Sequence, residues 1–214
     1  MISFVTNYDE ATSCNYEVYG NCGLNPTISL LGDNAIARNL VSELTVVSRD
    51  VFAMSHGDDN KLCDQQGNDT FTEEILASLS ASESFNIFAY ACNTSRVLGE
   101  VAARNNIKWF GFVEPINPPE TDSSLLNVYV DIFSFIFENF PNVSCDNSAL
   151  NFLDNLKLLC AHKSEHIDGI TLSNGGPPTL SAYISVKQMW EKQKIWLPGY
   201  GSVVHPGAPA PILW

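Results

Sequence analysis

Short, almost uniformly apolar runs alternate along the chain with longer stretches in which apolar residues recur every three or four positions. The run ISFVTN at 2–7 predicts a strand, ended by the loop-forming YGNCGLNP. Asp33 is placed to cap a helix whose apolar stripe is Ile36, Leu40, Val41 and Leu44. DVFAM then rises into Ser55-His56-Gly57 and gives way to the polar DDNKLCDQQGND, so a second strand stops at the histidine. Asp69 or Thr70 caps a helix carrying Phe71, Ile75 and Leu79, after which FNIFAYA forms a third strand closed by Cys92. The stretch NTSRVLGEVAARNN puts Val97, Leu98, Val101 and Ala102 on one helical face and leads into the strand IKWFGFV, which EPINPP stops.

Uniformly apolar strands separated by helices imply a mostly parallel sheet covered on both faces, hence an α/β fold built as a three-layer α/β/α sandwich. Two more helices are expected near 122–139 and 148–165. From 168 to 214 the composition shifts to NGGPP, LPGYG and HPGAPAP with Trp190, Trp196 and Trp214, which predicts a packed loop region forming a substrate wall. The 214 residues suit one domain, 1–214, with its core in 1–165 and a Pro/Gly/Trp-rich C-terminal region at 168–214.

Charge narrows the partners. With 24 acidic against 11 basic residues the formal net charge is −13, which disfavours nucleic acid and anionic membrane and favours a cationic partner. The richest apolar stretch, SLLNVYVDIFSFIFENF, carries Asp131 and Glu138 and falls short of the ~20 residues of a bilayer span, so it reads as a buried helix. The first residues lack the basic start and apolar stretch of a secretory leader, and a cytosolic location is expected. The six cysteines then read as thiols.

Two reactive side chains stand out because each ends an apolar run. In a parallel sheet, strands joined by one crossover usually lie side by side, and ligands bind beyond their carboxyl ends, so His56 and Cys92 are expected to face one crevice. A thiol needs a neighbour that stabilises thiolate; an imidazole does so and can then protonate a leaving amine. Gly57 lets a backbone N–H approach a substrate carbonyl and, with the N–H of Cys92, form an oxyanion hole. A helix directly after Cys92 would lower the thiol pKa further. No cofactor is required. The plain alternative is a buried cysteine and an ordinary His-Gly turn.

These residues resemble the caspase-like cysteine peptidases, and within them the CHAT-type subgroup, over roughly residues 1–140. In that family one strand ends in His-Gly, the next ends in Ala-Cys, and the helix and strand that follow are similar to VLGEVAARNNIKWFGFV here. The resemblance implies a caspase-like fold with His56 as base, Cys92 as nucleophile and Gly57 as oxyanion donor. It also implies a protein substrate, an activating partner protein, and a role in bacterial immunity or regulated cell death. YACNT lacks the Gln-Ala-Cys-x-Gly signature of animal caspases, and His56 precedes Cys92 by 36 residues, fewer than their usual ~50.

Members of that family cut after acidic or after basic residues by placing an opposite charge beneath the pocket. Asp58 and Asp59 directly follow the histidine, and Asp9 and Glu114 lie at the ends of other strands, which favours cleavage after Arg or Lys. Asp58 and Asp59 also suit a plain solvated turn. Two further readings stay open: an inactive binding module on the same fold, and a zinc peptidase using His162, Glu165 and His166 of HKSEH. The second would need a further ligand; a helical CAHKSEH could add Cys160, and Glu191 lies 25 residues on.

Overall fold

A computed structural model describes residues 1–46, 49–79, 84–174 and 180–211, of which 171–174 are described as backbone alone. In chain order the elements are β1 (Ile2–Val5), α1 (Glu10–Asn21), β2 (Ile28–Leu31), α2 (Ala37–Val46), β3 (Val51–Met54), β4 (Leu62–Cys63), β5 (Asp69–Phe71) and α3 (Glu73–Ser78). There follow β6 (Asn86–Tyr90), α4 (Leu98–Arg104), β7 (Lys108–Phe112), α5 (Leu126–Asn139), α6 (Asp146–Asn174), α7 (Leu180–Glu191), β8 (Gln193–Leu197) and β9 (Gly201–Val203).

Seven strands make one sheet in the order β2-β1-β3-β6-β7-β8-β9. The first five are parallel; β8 and β9 close one edge antiparallel. Successive strand residues face opposite layers. Phe52, Met54, Phe88, Tyr90, Phe110 and Phe112 pack against α1, α5, α6 and α7, while Val51, Ala53, Ile87, Ala89 and Trp109 meet α2, α3 and α4. The sandwich expected from the apolar strands is therefore present, with rings crowding one layer: Phe52 stacks on Phe88 at 5.2 Å and Tyr90 meets Phe133 edge-on at 4.9 Å.

Several local expectations are corrected. The first crossover holds an additional helix and strand, α1 and β2, where a loop was expected. Asp33 sits in a short 3-10 turn, and the Ala37 N–H at the start of α2 donates instead to Asp64 Oδ2, 3.0 Å away. Asp69 and Thr70 belong to β5; Thr72 caps α3, its hydroxyl accepting from the Ile75 N–H at 3.3 Å. The polar segment after His56 folds into the β4–β5 hairpin. Most of all, the C-terminal region is not loop: α6 runs unbroken past position 168, and α7, β8 and β9 complete one layer and the sheet edge. Of the segments that suggested a loop there, the Gly and Pro residues of NGGPP and Trp214 lie outside the described residues. Among the described residues no helix is long and apolar enough to cross a membrane.

Candidate active site

The parallel strand order reverses at β1: the chain leaves it for β2 on one side, then returns to place β3 on the other. The crevice beyond the carboxyl ends at such a point is where open α/β sheets bind ligands. Three segments converge there: residues 6–9 after β1, Ser55-His56-Gly57 after β3, and the turn from Ala91 after β6. β3 and β6 are hydrogen-bonded neighbours, with Met54 opposite Tyr90. His56 and Cys92 accordingly line one small pocket of about 50 Å3 with Ala11, Asn15, Ser55, Tyr90, Ile116 and Pro118.

Gly57 is required by this convergence. A Cβ there would come within 2.6 Å of Thr94 Cγ2 and 3.0 Å of Ala91 Cβ, so the loop carrying His56 lies directly on the turn carrying Cys92. Gly57 pairs with Leu62 through the flanking bonds, Asp58 N–H to Lys61 O at 3.0 Å and Cys63 N–H to His56 O at 2.9 Å. That pairing leaves the Gly57 N–H out, as an oxyanion donor needs. After Cys92 the chain turns sharply, with Asn93 at φ 59°, a conformation asparagine tolerates better than most residues. The turn is braced by Arg96, whose Nε donates to Val113 O at 2.7 Å. Helix α4 begins only at Leu98, so the direct helix-terminus effect expected on Cys92 is not available.

The Cys92 sulfur accepts from the Ile116 N–H at 3.4 Å and lies 3.8 Å from Ile116 O. The segment bearing Ile116 is itself anchored: Tyr90 OH donates to Asn117 O at 2.8 Å, and the Asn117 N–H donates to Gln188 Oε1 at 2.8 Å. On the other side, His56 Nε2 lies 2.6 Å from Asp9 Oδ2, and the Tyr8 ring stands 5.6 Å from the imidazole. Burial, with nearby Cys63 and Asp9, pushes the Tyr8 hydroxyl up to about 12, so it stays neutral. The Asn15 side chain is buried at the pocket wall, and its Oδ1 is without a hydrogen-bond partner.

The acidic residues separate into distinct roles. Asp58 Oδ1 accepts from the N–H groups of Asn60 and Lys61, shaping the turn. Asp59 faces Arg96 at 3.7 Å, and Glu114 pairs with Lys192 at 3.2 Å. Asp9 instead borders a second cavity of about 440 Å3, next to the first across Ala11 and Pro118 and lined also by Glu10, Cys14, Pro119 and Glu120. Glu10 and Glu120 were not singled out from the sequence. Glu10 directly follows Asp9, but Glu120 reaches the cleft from the Pro-rich segment after β7, which no local pattern places.

All six cysteines are free. Burial raises the thiols of Cys14, Cys22, Cys63 and Cys160, that of Cys22 to about 11, whereas the Ser148 hydroxyl and N–H hold Cys145 below the usual thiol range. His162, Glu165 and His166 are exposed along α6, Cys160 is buried, and Glu191 pairs with Lys187 at 3.3 Å. Among the described residues no three His, Cys, Asp or Glu side chains group so as to hold a metal. Compared with protein-family models, curated proteins and solved structures, the chain matches none.

Proposed function

We propose that the protein is a cysteine endopeptidase acting through His56 and Cys92, as its resemblance to the caspase-like peptidases implies. The observation that carries this is their convergence: side chains 36 positions apart end neighbouring parallel strands and line one pocket at the sheet's switch point. His56 takes the Cys92 thiol proton, and the thiolate adds to the scissile carbonyl carbon while the Gly57 and Cys92 N–H groups receive the oxyanion. The C–N bond breaks as the imidazolium protonates the leaving amine, leaving a thioester. Water, losing its proton to His56, then attacks; the C–S bond breaks and the thiol is restored. The Ile116 N–H sits on the sulfur at 3.4 Å, so attack on a carbonyl requires the thiolate to exchange that contact for the substrate.

The substrate is a protein cut after Arg or Lys, and the acidic cavity beside the dyad supports that preference. Asp58, Asp59 and Glu114 are engaged within the fold away from the cavity, whereas Glu10 and Glu120 line it and take the role, Glu120 with one oxygen accepting from the Ser181 hydroxyl. The work is expected in the cytoplasm, under a partner protein that opens the segment over Cys92, in bacterial immunity or regulated cell death. A second reading, a cleft that only binds, draws on the same contact between Ile116 and the sulfur.

The test is a mixed peptide library incubated with wild type and with Cys92→Ala. We expect cleavage after Arg and Lys by wild type and at least a 10³-fold loss in the variant, the order seen when a catalytic nucleophile is removed. Cleavage after Asp would overturn the specificity, and equal cleavage by both proteins would overturn the dyad.

A further inference from the structure

We infer that Asp9 is the positioning residue of this site, fixing the His56 tautomer so that the chemistry runs through Asp9, His56 and Cys92 together. This rests on the peptidase reading of the dyad and reassigns Asp9 from the substrate pocket to the imidazole.

The argument begins with what holds the carboxylate. Asp9 is the N-cap of α1: its Oδ1 accepts from the Thr12 N–H at 2.9 Å and from the Thr12 hydroxyl at 2.8 Å. Thr12 Oγ1 in turn accepts from the Asp9 N–H at 3.0 Å and the Tyr8 N–H at 2.9 Å, so the carboxylate is gripped from two directions. That leaves Oδ2, which faces His56 Nε2 at 2.6 Å. Each oxygen thus already holds a partner within the fold, Oδ1 the Thr12 donors and Oδ2 the imidazole, which ties Asp9 to His56 ahead of any substrate cation. Burial alone would raise the Asp9 carboxyl, but the Thr12 donors and His56 outweigh it and hold it below its ordinary value.

An ionised carboxylate only accepts, so Nε2 must carry the proton. In the neutral ring Nδ1 is then bare, and it is the nitrogen left to take the Cys92 proton. The same carboxylate steadies the imidazolium once that proton has moved. Asp9 and Tyr8, from the entry to α1, stand against the ring, and Cys92, from the turn after β6, lines the same pocket.

The N-cap makes the inference separable from stability. Asparagine caps a helix as well as aspartate does. In Asp9→Asn the side-chain oxygen keeps the Thr12 N–H, and the NH2 turns to His56. Nε2 must then accept, the proton moves to Nδ1, and the ring cannot take a proton from sulfur. Asp9→Ala loses the cap but imposes no tautomer, since water can meet Nε2 either way.

The experiment uses the full chain in a Cys145→Ser background, which removes the competing low-pKa thiol. It reads the His56 tautomer by 15N NMR, the iodoacetamide alkylation rate of Cys92 against pH, and Tm. We expect a neutral Nε2–H form in the parent, a neutral Nδ1–H form in Asp9→Asn, and an alkylation rate at neutral pH lowered at least 100-fold with Tm unchanged. Asp9→Ala should melt lower than Asp9→Asn yet react faster, a crossing that a capping role alone does not give. A parent Nδ1–H tautomer, or unchanged alkylation in Asp9→Asn, overturns the inference. The expected tautomers and rates, with no cleavage of any peptide by wild type, would overturn the peptidase reading and leave Asp9 positioning His56.

Discussion

At Gly57 the site depends on the absence of one carbon. The His56 loop can lie against the Cys92 turn only because no Cβ separates them, and the nearest obstacle is a single methyl, Thr94 Cγ2, at 2.6 Å. Gly57→Ala should therefore cost about 1–3 kcal/mol through overpacking and part the two loops. Thr94→Ser removes that methyl and keeps the hydroxyl that donates to Ala91 O. In Gly57→Ala/Thr94→Ser, urea unfolding should recover part of the stability, the rest being held by Ala91 Cβ and Lys61 O, each 3.0 Å away. No recovery would mean that Gly57 is needed for some other reason. His56, Gly57 and Cys92 were legible in the sequence because each ends or follows an apolar run. Asp9 was also visible, but only as a charge: its hold on Thr12 and reach to His56 depend on an entry into α1 that the sequence did not disclose.

Among elements, the β4–β5 hairpin shows how a polar segment acquires structure. Asp64, nearly inaccessible, accepts from the N–H groups of Ala37, Gln66 and Asn68, joining the hairpin to the start of α2. Gln65 pairs by its amide with the backbone of Asn7, both N–H to Oε1 at 2.6 Å and Nε2 to O at 2.8 Å, which ties the hairpin to the segment leading to Asp9. Burial alone would raise the Asp64 carboxyl, yet its three backbone donors and Asn68 hold it below its ordinary value. A folded pKa below the unfolded value of about 3.9 gives stability that is present above that pH and lost as pH falls through the folded value. Asp64→Asn should cost about 1–3 kcal/mol at pH 7, because a donor then faces donors, and should flatten the fall of Tm below about pH 4. An acid limb identical to wild type would contradict this. Helix α1 escaped notice because its buried face includes Thr12 and Asn15 beside Val18 and Tyr19, so little apolar periodicity marks it. Its start is set by the Asp9–Thr12 capping box, which the apolar pattern does not mark. In β8, residues 193, 195 and 197 are the more buried, an alternation masked in the sequence by the Pro and Gly around it.

Across the molecule, the central strands carried the signal that sufficed for the architecture, since only a sheet covered on both faces gives such continuously apolar runs. The edges carried less: β2 and β9 are short and partly exposed, and β8 is far in sequence from the parallel strands it extends. The net charge of −13 gains a local counterpart in the cavity of Asp9, Glu10 and Glu120, close to the proposed nucleophile. The proposed function rests on β3 and β6 being neighbours, which places imidazole and sulfur at one opening. The most direct measurement is mass-spectrometric mapping of the adduct formed by an arginyl acyloxymethyl ketone, a reagent that tests base and nucleophile at once. Modification of Cys92 that disappears in His56→Ala is the expected result. Modification centred on Cys145, or undiminished at Cys92 without the histidine, would contradict the account.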